Sequence, residues 1–390
     1  MFAVLSTRRK ALARVALVAA ALALAACEPM PSGRAPAIDA GAPVPVALIL
    51  PGGTGNSTDE MLARNLKQAA DLAIADLQGV KIDLRVYNAG SDAATSAAMA
   101  RKAVDEGAKV ILGPVFAEAA NAAGVAVAPA GVNVLSFSNN TDIAGGNVFV
   151  LGPTFENTAN RLVRYAARSG KGRILIIHDE TPAGDLGARA IKAAAARSGA
   201  SVVGTASYPF SQQGVMAAAP GIAGQAKSAG ATSAFFTADT AGALPLLAQT
   251  LPSSGLSSQS AQFVGLTRWD IPSATLSMPG LQGGWFALPD PGLAAQFNAR
   301  FMAAYGEQPH PIAGLAYDGI AAIGALAKSG RADALGAAAL TQGSGFAGVG
   351  GVFRLLPDGT NERGLAVAQI QNAQVVVIDP APRSFAGAGF

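Results

Sequence analysis

From Val46 onward, short and continuously apolar runs alternate with longer stretches whose apolar residues recur at helical spacing, and this alternation leaves few possible folds. Val46-Ala47-Leu48-Ile49-Leu50 has the length and composition of a strand buried on both faces. Pro51 to Gly55 follows as a loop, Ser57 and Glu60 have the spacing of a capping box, and Leu62, Leu66, Ala69, Ala70, Ala73, Ile74 and Leu77 share one helical face. Ile82, Leu84 and Val86 then alternate with Asp83 and Arg85, as in a half-exposed strand. The pattern continues with helices over 93–106 and 117–128 and strands over 110–112 and 132–137. A second set has helices over 161–167, 186–197 and 241–250, and strands at 174–177, 202–203 and 234–236. Strands alternating with helices give parallel βαβ units with right-handed crossovers, and two sets imply two doubly wound α/β lobes. The turn Pro357-Asp358-Gly359-Thr360 is expected to join 352–355 to 365–370 as a terminal hairpin, and residues 380–390 read as a loose tail.

The N-terminus has its own logic. Arg8, Arg9, Lys10 and Arg14 precede an apolar run from Val15 to Ala26, which is short for a spanning helix and suited to a signal peptide. It ends in Leu24-Ala25-Ala26-Cys27, similar to a bacterial lipobox, and Cys27 is the single cysteine of the 390 residues. Cleavage and acylation there would anchor the chain, since each buried CH₂ of an acyl chain contributes about 0.8 kcal/mol. Glu28 stands where an aspartate would favour the inner membrane of enteric bacteria, so the outer membrane is expected. Residues 27–45, with five prolines among small residues, read as a tether; the eighteen residues from Glu28 reach at most about 60 Å.

Composition excludes other classes. The net charge of +3 belongs to the precursor; without residues 1–26 the chain carries 24 basic and 25 acidic residues, which favours neither nucleic acid nor an anionic surface. The 51% hydrophobic content is spread along the chain, without the repeated apolar runs of a polytopic membrane protein. With no cysteine beyond Cys27 there is no internal disulfide and no cysteine zinc site.

Catalytic motifs are poorly represented. Gly343 to Gly348 matches G-x-G-x-x-G, but follows an expected helix over 332–340 and precedes a strand, the reverse of a dinucleotide site. Gly52-Gly53-x-Gly55 lacks the Lys-Ser/Thr of a P-loop. There are two histidines, His178 and His310, and no G-x-S-x-G elbow. Asp179 and Glu180 are adjacent loop carboxylates of the kind that are usually solvated. No enzyme activity, cofactor or metal is expected. The segments beyond the carboxyl ends of the strands are instead rich in hydroxyls, amides and glycine, where open α/β sheets bind ligands.

Several segments over about 44–379 resemble the type I periplasmic binding-protein superfamily, which includes leucine/isoleucine/valine-binding proteins. They are Val46–Pro51, Ile111-Leu112-Gly113-Pro114, Val134-Leu135-Ser136 and Ala316-Tyr317-Asp318-Gly319. The resemblance implies two Rossmann-like lobes joined by three crossovers, with a ligand cleft between them. It divides the chain into 46–151 with 286–345 and 152–285 with 346–379. Within that superfamily, Phe137-Ser138-Asn139, the segment from Ala144-Gly145 to Leu151, Trp269-Asp270, Gly283 to Ala287 and Pro289-Asp290-Pro291 look like the penicillin-binding protein activator lipoproteins. That likeness implies a non-catalytic regulator of a peptidoglycan synthase; the alternative is the substrate-binding lipoprotein of an importer for branched-chain amino acids or a related polar solute. Two departures bear on the ligand. Amino-acid-binding relatives place a serine after the Gly-Pro, where this chain has Val115-Phe116-Ala117, and a tyrosine where it has Ala183. Activators also carry an N-terminal helical-repeat domain, whereas here the Pro-rich segment leads straight into the first strand. The candidate cleft residues are Gly52, Gly53, Ser138, Asn139, Asn140, Asp179, Asp239, Thr240, Trp269, Asp270 and Tyr317. A small polar ligand, a synthase partner and attachment to the periplasmic side of the envelope are the expected associations.

Overall fold

The computed structural model describes residues 35–385, so the signal segment, Cys27 and the start of the tether lie outside the described residues. The first sheet has the order β2-β1-β3-β4-β5, all parallel, from β1 (Val44–Leu50), β2 (Ile82–Asn88), β3 (Val110–Leu112), β4 (Asn133–Ser136) and β5 (Val148–Val150). β1 lies between β2 and β3, which explains its unbroken apolar run. Val46, Leu48 and Leu50 face one core and Ala47 and Ile49 the other. β2 is the edge strand, and its charged residues fall there. Helices α1 (Ser57–Asp76), α2 (Ala93–Asp105) and α3 (Ala117–Val127) make the crossovers. α2 and α3 cover the Ile49 face; α1, α8 (Pro291–Tyr305) and α9 (Gly314–Ala327) cover the Leu48 face. Each fully buried leucine of such a core is worth about 1.5–3 kcal/mol.

The second sheet has seven strands in the order β15-β14-β10-β9-β8-β6-β7. Its parallel part is β6 (Arg173–Asp179), β7 (Ser201–Tyr208), β8 (Ser233–Phe236), β9 (Gln262–Gly265) and β10 (Trp285–Leu288). Helices α4 (Phe155–Arg168), α5 (Pro182–Ser198), α6 (Gln212–Ser228) and α7 (Leu244–Ser253) flank it. β14 (Ala366–Gln371) and β15 (Gln374–Asp379) add an antiparallel edge. A small sheet of β11 (Phe346–Gly348), β12 (Gly351–Leu355) and β13 (Asn361–Arg363) completes the fold, after a short helix α10 (Ala337–Leu340). The G-x-G-x-x-G match therefore leads from α10 into β11.

Several details differ from the sequence reading. The Pro357–Thr360 turn joins β12 to β13, while β14 hairpins with β15 through Asn372 and Ala373, both at positive φ. Leu365 to Ile370 is apolar because it enters the large sheet between β10 and β15, not because it pairs with β12. The boundaries drawn at 286 and 346 also shift. β10 completes the second sheet, and Phe346, Phe353 and Leu355 pack into the first core. The helix expected from residue 332 is confined to α10, and α6 was missed because Pro220 and three glycines interrupt its pattern. Two termini are more ordered than expected: Ile38 is buried in the first core with its N–H on the Ala332 carbonyl, and in the tail Ala381 is buried and Phe385 lies 4.5 Å under the Arg354 guanidinium.

Candidate functional site

Parallel strands deliver their carboxyl ends to one edge of each sheet, and the loops there hold most of the candidate residues. After β1, the expected capping box is replaced by another arrangement. Asn56 caps α1, accepting from the N–H groups of Thr58 (2.9 Å) and Asp59 (3.3 Å). Glu60 turns back, and its Oε1 accepts the N–H groups of Gly53 (2.7 Å), Thr54 (3.1 Å) and Gly55 (3.3 Å). Positive φ at Gly53 and Gly55 curls these donors inward, and the cradle holds the chain's own carboxylate. Gly52 is buried; a Cβ there would lie 3.0 Å from Asn88 Oδ1. After β4, buried Ser138 accepts the Asn140 N–H on its Oγ (3.1 Å) and the Gly152 N–H on its carbonyl (3.0 Å). Asn140 in turn accepts from Asp142 N–H (2.9 Å), and Asn139 is left exposed at the tip.

In the second lobe Asp179 ends β6, buried, and accepts the Thr181 hydroxyl; Thr181 caps α5 through the Gly184 N–H (3.1 Å). A Cβ on Gly184 would collide with the Asp179 carbonyl, so the loop packs tightly there. Exposed Asp239 accepts the Gly242 N–H at 2.5 Å. Tyr208 at the end of β7 is buried near Asp179 and Asp239; burial first, and then both carboxylates, push its phenol far above the usual value. Thr240 donates to the Ile271 carbonyl (2.7 Å), and Trp269 is wholly buried, 6.1 Å from the Phe236 ring. Asp270 accepts from Arg268 Nε (2.6 Å) and Nη2 (2.5 Å).

Tyr317 stands apart from this group. Its hydroxyl donates to Asp76, which also receives Arg300 Nη2 (2.7 Å), among α1, α8 and α9. Its neighbour Asp318 faces the junction of the lobes. A cavity of about 250 Å³ lies there, among the three segments by which the chain passes between lobes: Pro153 near the first, Pro289 at the second, Gly364 at the third. Its walls are mainly apolar, with Arg268, Asp318 and Arg363 as the charged side chains. Asp318 is 2% exposed and accepts Val349 N–H (2.8 Å) and Arg363 Nη1 (3.0 Å). Arg363 also donates to the Leu151 carbonyl from Nη2 (2.6 Å) and Nε (3.1 Å). Asn361 donates to the Val150 (2.8 Å) and Gly152 (2.9 Å) carbonyls and accepts from Asn157 (2.9 Å). The first and third passages are thereby stitched together by buried, partnered polar groups.

Arg268, Asp318 and Arg363 are absent from the candidate residues drawn from sequence. Asp318 had a readable signal, as the one charge in the apolar helix α9. Arg363 had none, because its partners come from distant segments. Among the described residues, no group of three or more His, Cys, Asp or Glu side chains converges as a metal site would require, and no helix is long and apolar enough to cross a membrane.

The family described as periplasmic binding protein matches residues 43–374 of the chain. Among solved structures, a putative branched-chain amino acid ABC transporter from Rhodospirillum rubrum superposes with a TM-score of 0.73 at 18% identity, covering 86% of this chain and all of that one. An ABC transporter substrate-binding protein from Desulfitobacterium hafniense, in complex with Leu, gives 0.62 at 17% identity, with 86% and 100% coverage. A solute-binding protein from R. palustris in complex with benzoate gives 0.56 at 18% identity, with 90% and 99% coverage. No curated protein sequence matches the chain. With two mainly parallel sheets, three passages between the lobes and a cavity at their junction, the chain belongs to the periplasmic binding protein family and has its type I fold.

Proposed function

We propose that the protein is a non-catalytic solute-binding protein that collects a small molecule for an ABC importer, held to the envelope by acyl chains on Cys27. The observation that carries this reading is the cavity at the lobe junction, lined from both lobes and from the segments that join them. Such a position lets ligand binding and lobe closure reinforce each other. Similar folds described as amino-acid importer components support the importer role over that of a synthase activator. Native mass spectrometry of the purified protein, followed by thermal denaturation with the molecule it releases, tests the reading. Ligand at 100 Kd adds about 2.7 kcal/mol of stability. A protein that carries nothing and responds to no solute overturns it.

Cys27→Ser is expected to release the protein from membranes into the soluble periplasmic fraction, and continued sedimentation with membranes would contradict acyl anchoring. Within an anchored protein, the outer membrane is the expected surface.

The activator role remains as a second reading on one observation. A groove of about 640 Å³ on the first lobe is lined by Val125, which is 68% exposed, and by Ala144, Gly145, Asn147 and Val148, part of the stretch that resembles activators. Capture of a peptidoglycan synthase by the intact protein, lost in Val125→Asp, would favour it.

A further inference from the structure

We propose that the cavity takes a small apolar monocarboxylate, and that Arg268 receives its carboxylate; this rests on the solute-binding reading above. The walls first define the body of the ligand. Ile271, Leu288, Pro289, Ile312, Leu315 and Leu365 offer apolar surface from both lobes. A ligand of this size that buries its surface there is mainly hydrocarbon.

The charged groups define its head. Arg363 is 11% exposed and is committed to Asp318 and to the Leu151 carbonyl. Asp318 has both oxygens engaged, by Val349 N–H and Arg363. Arg363 spends three of its five N–H donors on these partners and is the more buried of the two arginines, and Asp318 is already neutralised by it. Arg268 differs. Its side chain is 36% exposed, Asp270 holds it through Nε and Nη2 alone, and a guanidinium has five N–H donors. Asp270 thus fixes the plane of the guanidinium and leaves the Nη1 edge to donate. The other anion cradle at the sheet edges, the N–H groups of Gly53 to Gly55, already holds Glu60.

An ammonium group meets no uncompensated negative charge. The charged side chains lining the cavity are two arginines and Asp318; Asp318 is paired with Arg363, and Asp270 with Arg268, so an ammonium would compete with an arginine for either carboxylate. A buried ammonium without a partner is strongly disfavoured, so the site accepts the acid and rejects the amino acid.

The test is a titration by calorimetry and thermal denaturation with three probes: 4-methylpentanoate, which is leucine without its ammonium group; benzoate; and L-leucine. The expected result is a raised Tm with 4-methylpentanoate or benzoate, and binding of leucine at least 100-fold weaker. Arg268→Gln is expected to weaken the acid at least tenfold while leaving the circular dichroism spectrum in place, and Arg268→Lys to restore part of the affinity. Leucine binding as tightly as 4-methylpentanoate, or acid binding indifferent to Arg268→Gln, overturns this inference and leaves the solute-binding reading standing. Failure of both acids, with a different class of molecule released from the purified protein, likewise removes the inference alone. Failure of both acids with nothing released removes both.

Discussion

The two lobes use charge in opposite ways where they meet. The first lobe and its returning segments present Asp318 and Arg363, an almost fully buried pair tied by further hydrogen bonds to the Val349 N–H and the Leu151 carbonyl. The second lobe presents Arg268 and Asp270, loop residues two positions apart in which the arginine remains partly in water. A buried pair in this setting makes little net contribution relative to apolar packing, but losing one member strands the other. A partly exposed pair contributes little to stability and keeps its cation free to act. The contrast separates the part of the junction that holds the lobes from the part that meets a ligand.

Substitutions sharpen that contrast. Asp318→Ala is expected to cost about 3–5 kcal/mol, since it leaves the Arg363 guanidinium buried and unpaired. Asp270→Ala is expected to cost about 1 kcal/mol or less. Urea denaturation of both variants measures the difference, and equal losses would break the comparison. Gly113→Ala comes next, at about 1–3 kcal/mol: the residue sits at φ +86°, and a Cβ would press on the Ile49 carbonyl within the first sheet. Denaturation midpoints again report it, and an unchanged midpoint would show that β1 and β3 can separate to make room.

The smallest expected effect is a pH dependence from the first lobe. Burial holds the His310 imidazole below its ordinary value, and its Nδ1 accepts the Ile312 N–H at 3.3 Å. The unfolded chain therefore takes up the proton first as pH falls. The stability contribution is complete above an ordinary imidazole value of about 6.5 and declines as pH drops below it. His310→Gln is expected to flatten the stability profile between about pH 7 and 5. A profile as steep in the variant as in the parent would place the dependence elsewhere.

The alternation of apolar runs and helical stretches was enough to read two parallel α/β lobes, because a strand buried on both faces and an amphipathic crossover helix are local patterns. The second set was read less completely: Pro220 concealed α6, and β9, Gln262–Gly265, was not identified. The hairpin partner of β12 was misassigned because Leu365 to Ile370 owes its hydrophobicity to the large sheet, an environment invisible along the chain. The candidate residues were expected at the strand ends by position, and most of them lie in those loops, but none of the eleven lines the cavity at the lobe junction. Tyr317 was chosen from the same motif as Asp318, but helix α9 turns the tyrosine to Asp76 and the aspartate to the junction.

By itself the sequence determined the fold class and the edges at which loops would gather, since side-chain periodicity and strand length act over neighbouring residues. Tertiary structure alone decided which polar groups meet. Asp318 with Arg363, Asn361 with Asn157, and Glu60 with the loop before it are pairings set by how separate segments pack and turn back. Whether a charged side chain is spent on the fold or left for a ligand depends on those partners, and no pattern along the chain encodes them.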